Sequence, residues 1–304
     1  MRCAGRLGWQ GRRRRSVDRR NEMNSGIRRL EPSDVPACLA LAVDRGWPEE
    51  EARWRLLLEV GEGYGWVAPD TGELVGAVVL TRFGARAGVV GLMLVRSDHG
   101  GRGIGRALME RLLDEAAGSD TVFLYATDEG RPLYEKLGFR ASHEVATHLG
   151  TFVPPARPGA LRVQTLAPGD IRELHVPDAA LLGFDRGHLL DRLAKFAREI
   201  RVVRAPDGRV TGYAAAWDNA GRTAVGPVVA PTPDVLCALV EDIAVRDRGR
   251  AVRLECPVVP DGTVRAWAVR HGLRETGRCT FMVRGRPLPD GRLPSYAPFM
   301  QSIG

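Results

Sequence analysis

The apolar run Val89–Val95 predicts a buried strand, and the pattern from Asp98 to Glu110 that follows it opens a helix. Thr121–Ala126 is a second largely apolar run and reads as another buried strand. Thr127–Glu129 then supplies a turn, and Gly130–Leu137 a short helix with Pro132 tolerated in its first turn. Gly138 ends that helix and Phe139 begins a further strand. Earlier in the chain, Trp47 and Trp54 stand at i and i+7, on one helical face if their helix is continuous. They fit a core, the commoner use of such spacing, or an apolar pocket wall.

Past Gly150 the order of elements starts again. Residues 151–160 hold Pro154, Pro155 and Pro158, which suits a semi-rigid linker. Asp70–Gly76 (DTGELVG) is echoed by Asp207–Gly212 (DGRVTG), and Leu137-Gly-Phe-Arg140 by His271-Gly-Leu-Arg274. Between the echoes, Thr223–Val229 predicts a strand and Thr232–Val245 an amphipathic helix with Val235, Leu236, Leu239, Val240 and Ile243 on one face. Val252–Cys256 then reads as a strand and Val264–Arg270 as a short helix. The chain is therefore expected to contain an internal duplication of one fold.

Chemistry enters at the turn between the first strand and its helix, where Gly103 and Gly105 flank Ile104 between Arg102 and Arg106. A strand that runs through glycines into a helix presents unpaired backbone N–H groups, and the helix dipole adds to their pull on an anion. Glycine also lets the backbone approach the anion closely. The dinucleotide fingerprint and the P-loop are excluded, since the required third glycine with its acidic partner and the Gly-Lys-Ser/Thr run are missing. On this segment alone, a packing turn and a phosphate turn are equally good readings.

The string ATDEGRPLYEKLGFR that follows the turn decides between them. Together they resemble the GNAT superfamily of N-acetyltransferases over roughly Ile27 to Gly150. The resemblance implies an α/β fold with a mixed sheet and a turn that holds the pyrophosphate of acetyl-CoA through Gly100, Gly101, Arg102, Gly103, Ile104, Gly105, Arg106 and Ala107. It also places the backbone of Met93, Leu94 and Val95 beside the thioester, where an N–H polarises the acyl carbonyl, and puts Thr127 at the cofactor. Tyr134 takes the general-acid position, protonating the departing thiolate. Two positions depart from the family pattern: Gly100 stands where Arg or Gln is usual, and Ser97 where proline is common.

The same resemblance extends to the whole chain, which looks like the tandem GNAT proteins with a second, YitH-type module. The implied organisation is an Arg-rich disordered tail over 1–24, a catalytic domain over 25–150, the linker over 151–160, and a degenerate module over 161–304. In the second copy Ala230-Pro-Thr-Pro233 replaces the glycine turn, and proline removes donors from a phosphate cradle. Ala268 stands four residues before the echoing glycine, where Tyr134 stands in the first copy. Leu182-Gly-Phe-Asp-Arg186 opens a helix carrying Leu189, Leu190 and Leu193, with Asp185 as expected N-cap and Arg186 as expected surface charge, the alternative being that both reach into a shared cleft.

No general base is evident. Glu49, Glu50 and Glu51 precede the turn, and His143, Glu144 and His148 follow the Gly-Phe string; each reads singly as a surface residue. Relay of the proton through water is the alternative.

Composition changes little except at the N-terminus. The net charge is +7, but residues 1–24 hold eight arginines against Asp18 and Glu22, so the remainder is nearly neutral. That tail reads as solvated and disordered, with Met23 as an alternative start, and only its arginines offer a nucleic-acid contact. It lacks the apolar core of a secretion signal, and no run approaches a membrane span. Five scattered cysteines show no metal or disulfide spacing and suit a reducing cytoplasm. Two lysines among 44 basic residues suggest a GC-rich, bacterial-type coding genome.

The expected function is acetyl transfer from acetyl-CoA to a primary amine, without a metal. The expected partners are an amine-bearing acceptor and a second copy of the chain, with no membrane. A non-catalytic acyl-CoA-binding or partner-binding protein, and an acyltransferase for longer chains from CoA or a carrier protein, are the alternatives.

Overall fold

The computed structural model describes residues 26–157, 159–288 and 296–303. The Arg-rich tail over 1–24 lies outside the described residues. The described residues form two compact units, 26–80 with Leu92–Ala117, and Thr81–Gly91 with those from Gly118 onward. These units and the two sequence repeats are different divisions of the chain.

In the first unit, β1 (Ile27–Arg29) pairs antiparallel with β2 (Glu62–Val67), and β2 with β3 (Leu74–Phe83). Helix α1 (Val35–Asp44) buries Val35, Cys38, Leu41 and Ala42, and α2 (Glu51–Val60) buries Trp54, Leu56 and Leu57. Trp54 is thus a core residue, whereas Trp47 is partly exposed and lies outside both helices. Helix α3 (Ile104–Glu115) turns Ile104, Ala107, Leu108 and Leu112 inward, the spacing of one helical face. It rests against β3 at Gly76, where a Cβ would come within 3.0 Å of both the Ile104 and Leu108 side chains. The strand β4 (Ala87–Val95) contributes its last residues to this unit.

In the second unit, the first residues of β4 pair parallel with β5 (Thr121–Ala126), from Ala87 opposite Thr121 to Val90 opposite Leu124. Helix α4 (Arg131–Lys136) follows, then the long strand β6 (Arg140–Thr151). The remaining elements repeat this order: β7 (Val163–Thr165), α5 (His175–Leu182), α6 (Gly187–Phe196), β8 (Glu199–Arg204), β9 (Val210–Asn219), β10 (Arg222–Val229), α7 (Pro233–Arg246), β11 (Ala251–Pro257), α8 (Thr263–Arg270) and β12 (Arg274–Gly285). A short strand β13 (Tyr296–Ala297) comes last. Strands β7 to β10 pair antiparallel in sequence, and β10 runs parallel to β11 as β4 does to β5. The predicted duplication is therefore present element by element. The second core is built by Leu236, Leu239, Val240 and Ile243 of α7 against Ala214, Ala216, Val252 and Leu254 of the sheet.

The closing strands are exchanged between the repeats. β6, which ends the first repeat, pairs with β11 of the second, from Val145 opposite Pro257 to Thr151 opposite Ala251. β12, which ends the second, pairs with β5 of the first, from Thr121 opposite Gly285 to Ala126 opposite Thr280. β6 and β12 then pair with each other. The linker begins as packed chain: Phe152 is buried against the Trp267 and His271 rings, and the Val153 N–H donates to the His271 carbonyl at 2.9 Å.

Candidate functional site

The glycine turn lies in the first unit. After β4, a 3-10 turn at Ser97–His99 is tied to the last residue of α1: the Ser97 N–H and hydroxyl donate to the Asp44 carboxylate at 2.7 and 2.8 Å. Proline at this position would lack both donors. Gly101 and Gly103 have φ of +73° and +88°, conformations that cost other residues energy. Gly100 has φ −58°, which any residue adopts, and a Cβ there would meet only the Ser97 carbonyl at 3.3 Å. Gly103 caps α3 without a side-chain hydrogen bond, and the first intrahelical bond runs from the Ala107 N–H to the Gly103 carbonyl. The amides of Ile104, Gly105 and Arg106 are therefore open donors at the helix N-terminus.

The side chains around the turn leave those amides clear. Ile104 and Ala107 are buried and anchor the helix, while Gly100 to Gly103 and Arg106 are exposed. Arg102 reaches back to the Asp98 carbonyl at 3.1 Å, and Arg106 stands 3.9 Å from Glu110. Arg96 hydrogen-bonds Asp98 and Glu73 at 2.8 Å each. Arg96 first, and then His99, holds the Asp98 carboxyl down to about 2. Of the strand residues, Leu94 is buried, whereas Met93 and Val95 are partly exposed.

Tyr134 lies in the second unit, on α4. Thr127 starts the turn that orients this helix: its hydroxyl accepts from the Gly130 N–H at 3.3 Å and its carbonyl from the Arg131 N–H at 3.0 Å. Tyr134 is buried, edge-on to Phe139 with ring centroids 6.1 Å apart. Burial pushes the phenol up to about 12, so the group carries its proton throughout the physiological range. Among the described residues no group hydrogen-bonds its hydroxyl, which leaves that proton available for a ligand.

Other sequence expectations divide. Glu51 pairs with Arg55, Glu50 with Arg53, and Glu144 with Arg278, which makes all three part of ion pairs. His148 is no surface residue: it is completely buried, because the exchange of strands brings β11 and β12 along both sides of β6. Asp185 is not the N-cap: Arg186 holds that position in α6, and Asp185 accepts from the Gly187 N–H at 2.7 Å from one residue further out. Arg186 is not a surface charge: it is 1% exposed and paired with the equally buried Asp178. Its guanidinium is turned inward because α5 presents that carboxylate to it.

An aromatic cluster in the second unit was not foreseen. Phe184, from the string before α6, stacks on Phe83 with centroids 5.1 Å apart and planes 6° apart, and lies 6.0 Å from Phe123. Phe123 meets Phe281, and Phe281 stacks on His143 at 4.6 Å. Phe123 on β5 and Phe281 on β12 come from strands of different repeats, which the exchange sets side by side. No helix among the described residues is long and apolar enough to cross a membrane. Nor do they contain a His, Cys, Asp and Glu cluster able to hold a metal ion.

Comparison with known proteins gives two family matches, each to an acetyltransferase (GNAT) domain, over residues 61–141 and 174–297. The chain is 28% identical over 231 residues to the uncharacterized N-acetyltransferase YitH of Bacillus subtilis, covering 75% of this chain and 81% of that protein. A candidate acetyltransferase of Pyrococcus horikoshii has the same fold, with a TM-score of 0.75 at 21% identity over 91% of this chain and 95% of its own. So does a tandem GNAT protein of the clavulanic acid biosynthesis pathway, with a TM-score of 0.61 at 18% identity over 84% and 97% of the two chains.

Proposed function

This chain belongs to the GNAT acetyltransferases and carries two GNAT domains in tandem, and we propose that its first domain transfers an acetyl group from acetyl-CoA to a primary amine. The glycine turn carries this reading. Positive φ at Gly101 and Gly103, an uncapped helix start and three open amides are what a pyrophosphate needs from a backbone. The second domain has Pro231 and Pro233 at the corresponding helix start, and there the Thr232 hydroxyl takes the Val235 amide. A turn so capped has little left to offer a phosphate.

Acetyl-CoA supplies an activated acyl group as a thioester. The amides of Ile104, Gly105 and Arg106, with Gly101 to Gly103, hold its pyrophosphate, and a backbone N–H among Met93, Leu94 and Val95 polarises the acyl carbonyl. The neutral amine attacks the carbonyl carbon, forming the C–N bond, and the C–S bond breaks. Tyr134 gives its O–H proton to the departing sulfur and recovers one from solvent. The excess proton of the amine leaves through water. The second domain serves as a structural partner of the first, through the strand exchange.

Free thiol release from acetyl-CoA with a panel of amines tests the reading. Release that depends on an amine and falls in Tyr134→Phe supports it. Tight binding of acetyl-CoA with no release for any amine would favour a non-catalytic acyl-CoA-binding protein.

A further inference from the structure

The segment after β5 carries Thr127 and Tyr134. Its counterpart after β11 lines a cavity of about 130 Å³ in the second repeat. His148, Cys256, Val258, Val264, Arg265 and Tyr296 face it. The cavity is bounded by the chain's own end: β10 follows β11 only to Val225, then pairs at Val228 and Val229 with β13.

His148 marks this cavity as more than a packing defect. It is completely buried, its Nδ1 lies 3.6 Å from the Cys256 Sγ, and its Nε2 has no partner among the described residues. Native chains leave few buried polar atoms unpaired. Burial pushes the Cys256 thiol up to about 12, so the S–H is retained, and Sγ and Nδ1 share one contact. Nε2 is therefore the ring nitrogen left for a ligand in the cavity. The start of α8 faces the same cavity. Asp261 caps the Thr263 N–H at 3.1 Å, and the Val264 and Arg265 amides remain as first-turn donors. Arg265 adds a guanidinium, and Glu275, the nearby carboxylate, is already shared between Arg265 and Arg278.

The cavity thus combines donors at one end with apolar walls elsewhere. We propose that the second repeat binds a short-chain carboxylate here, its oxygens accepting from His148 Nε2 and the first turn of α8, its alkyl tail against Val258 and Tyr296. Cavities of roughly 150 Å³ accept a molecule the size of benzene, which points to about four to six heavy atoms.

The test is a titration of the full chain with butyrate, butanol and butylammonium, followed by NMR of the His148 imidazole, assigned with His148→Gln. Butyrate should shift the resonance saturably, with butanol and butylammonium at least roughly tenfold weaker. Arg265→Gln, at the exposed rim, should weaken butyrate several-fold while keeping the fold. Saturating CoA should leave butyrate binding intact. An unmoved His148 resonance at roughly 0.1 M butyrate, an equal response to butanol, or displacement by CoA would each overturn the proposal.

Discussion

Arg186 and Asp178 form a bidentate ion pair closed to solvent. The Arg186 Nε and Nη2 donate to the carboxylate at 2.9 and 2.8 Å, and the Tyr213 hydroxyl donates to the same group. Both charged side chains are 1% exposed. Such a pair gives little net stability while intact, but either half left alone is a buried charge. Asp178→Asn should cost about 3–5 kcal/mol in chemical unfolding. The double change Asp178→Leu with Arg186→Met should recover much of that loss. A single change that costs no more than a surface substitution would contradict the pairing.

Gly130 makes room for the Tyr134 ring. A Cβ at residue 130 would lie 2.9 Å from a ring carbon, and φ there is −79°, so alanine meets a steric obstacle and no backbone one. Gly130→Ala should displace the ring and lower kcat without unfolding the chain, as judged by circular dichroism. Tyr134→Phe should lower kcat by roughly 100-fold with little change in the KM for acetyl-CoA.

The high phenol pKa has its own consequence. Because Tyr134 keeps its proton up to about pH 12, loss of this acid should not bring activity down below roughly pH 10. Rates measured from pH 6 to 10 should rise as the amine deprotonates and then level. A descending limb near pH 8 that disappears in Tyr134→Phe would contradict the assigned burial.

The two turn glycines should respond in opposite ways. Gly103→Val forces a β-branched residue to φ +88° and should raise the KM for acetyl-CoA and destabilise the start of α3. Gly100→Arg meets no such strain, and a guanidinium beside the phosphates should tighten acetyl-CoA binding by roughly three- to tenfold. Isothermal titration on both variants checks the pair.

His148 should make stability depend on pH. Burial lowers its pKa below the usual 6.5, so the folded state prefers the neutral ring. The stability it supports is complete above 6.5 and is lost as pH falls from there toward the lower folded value. Melting temperatures between pH 5 and 8 should show this decline in the parent chain and a weaker one in His148→Gln.

Much of the fold could be read from local pattern. The strand over Thr121–Ala126 forms with the expected bounds, and the helix expected over Thr232–Val245 spans Pro233–Arg246. The turn glycines and the Tyr134 helix were legible because each depends on a few neighbouring residues: φ at Gly103, the Pro132 and Gly138 boundaries, and a short run of apolar periodicity. His148 and Arg186 were misjudged for the opposite reason. A histidine on a strand and an arginine after an aspartate look solvent-facing until their distant neighbours are known. Those neighbours, Cys256 and Asp178, lie 108 and 8 positions away.

The duplication, the order of elements and the loss of the second glycine turn were settled by residue type and spacing, since backbone conformation and hydrogen-bond donors are local properties. The exchange of β6 and β12 was decided only by tertiary structure. An alternating apolar strand carries the same pattern whichever sheet edge receives it, and two copies of one fold offer two equivalent edges. Pairing β6 beside β11 and β12 beside β5 satisfies the same hydrogen bonds as the unexchanged arrangement would. That choice buries His148 and leaves the second repeat with its cavity, features that no run of neighbouring residues encodes.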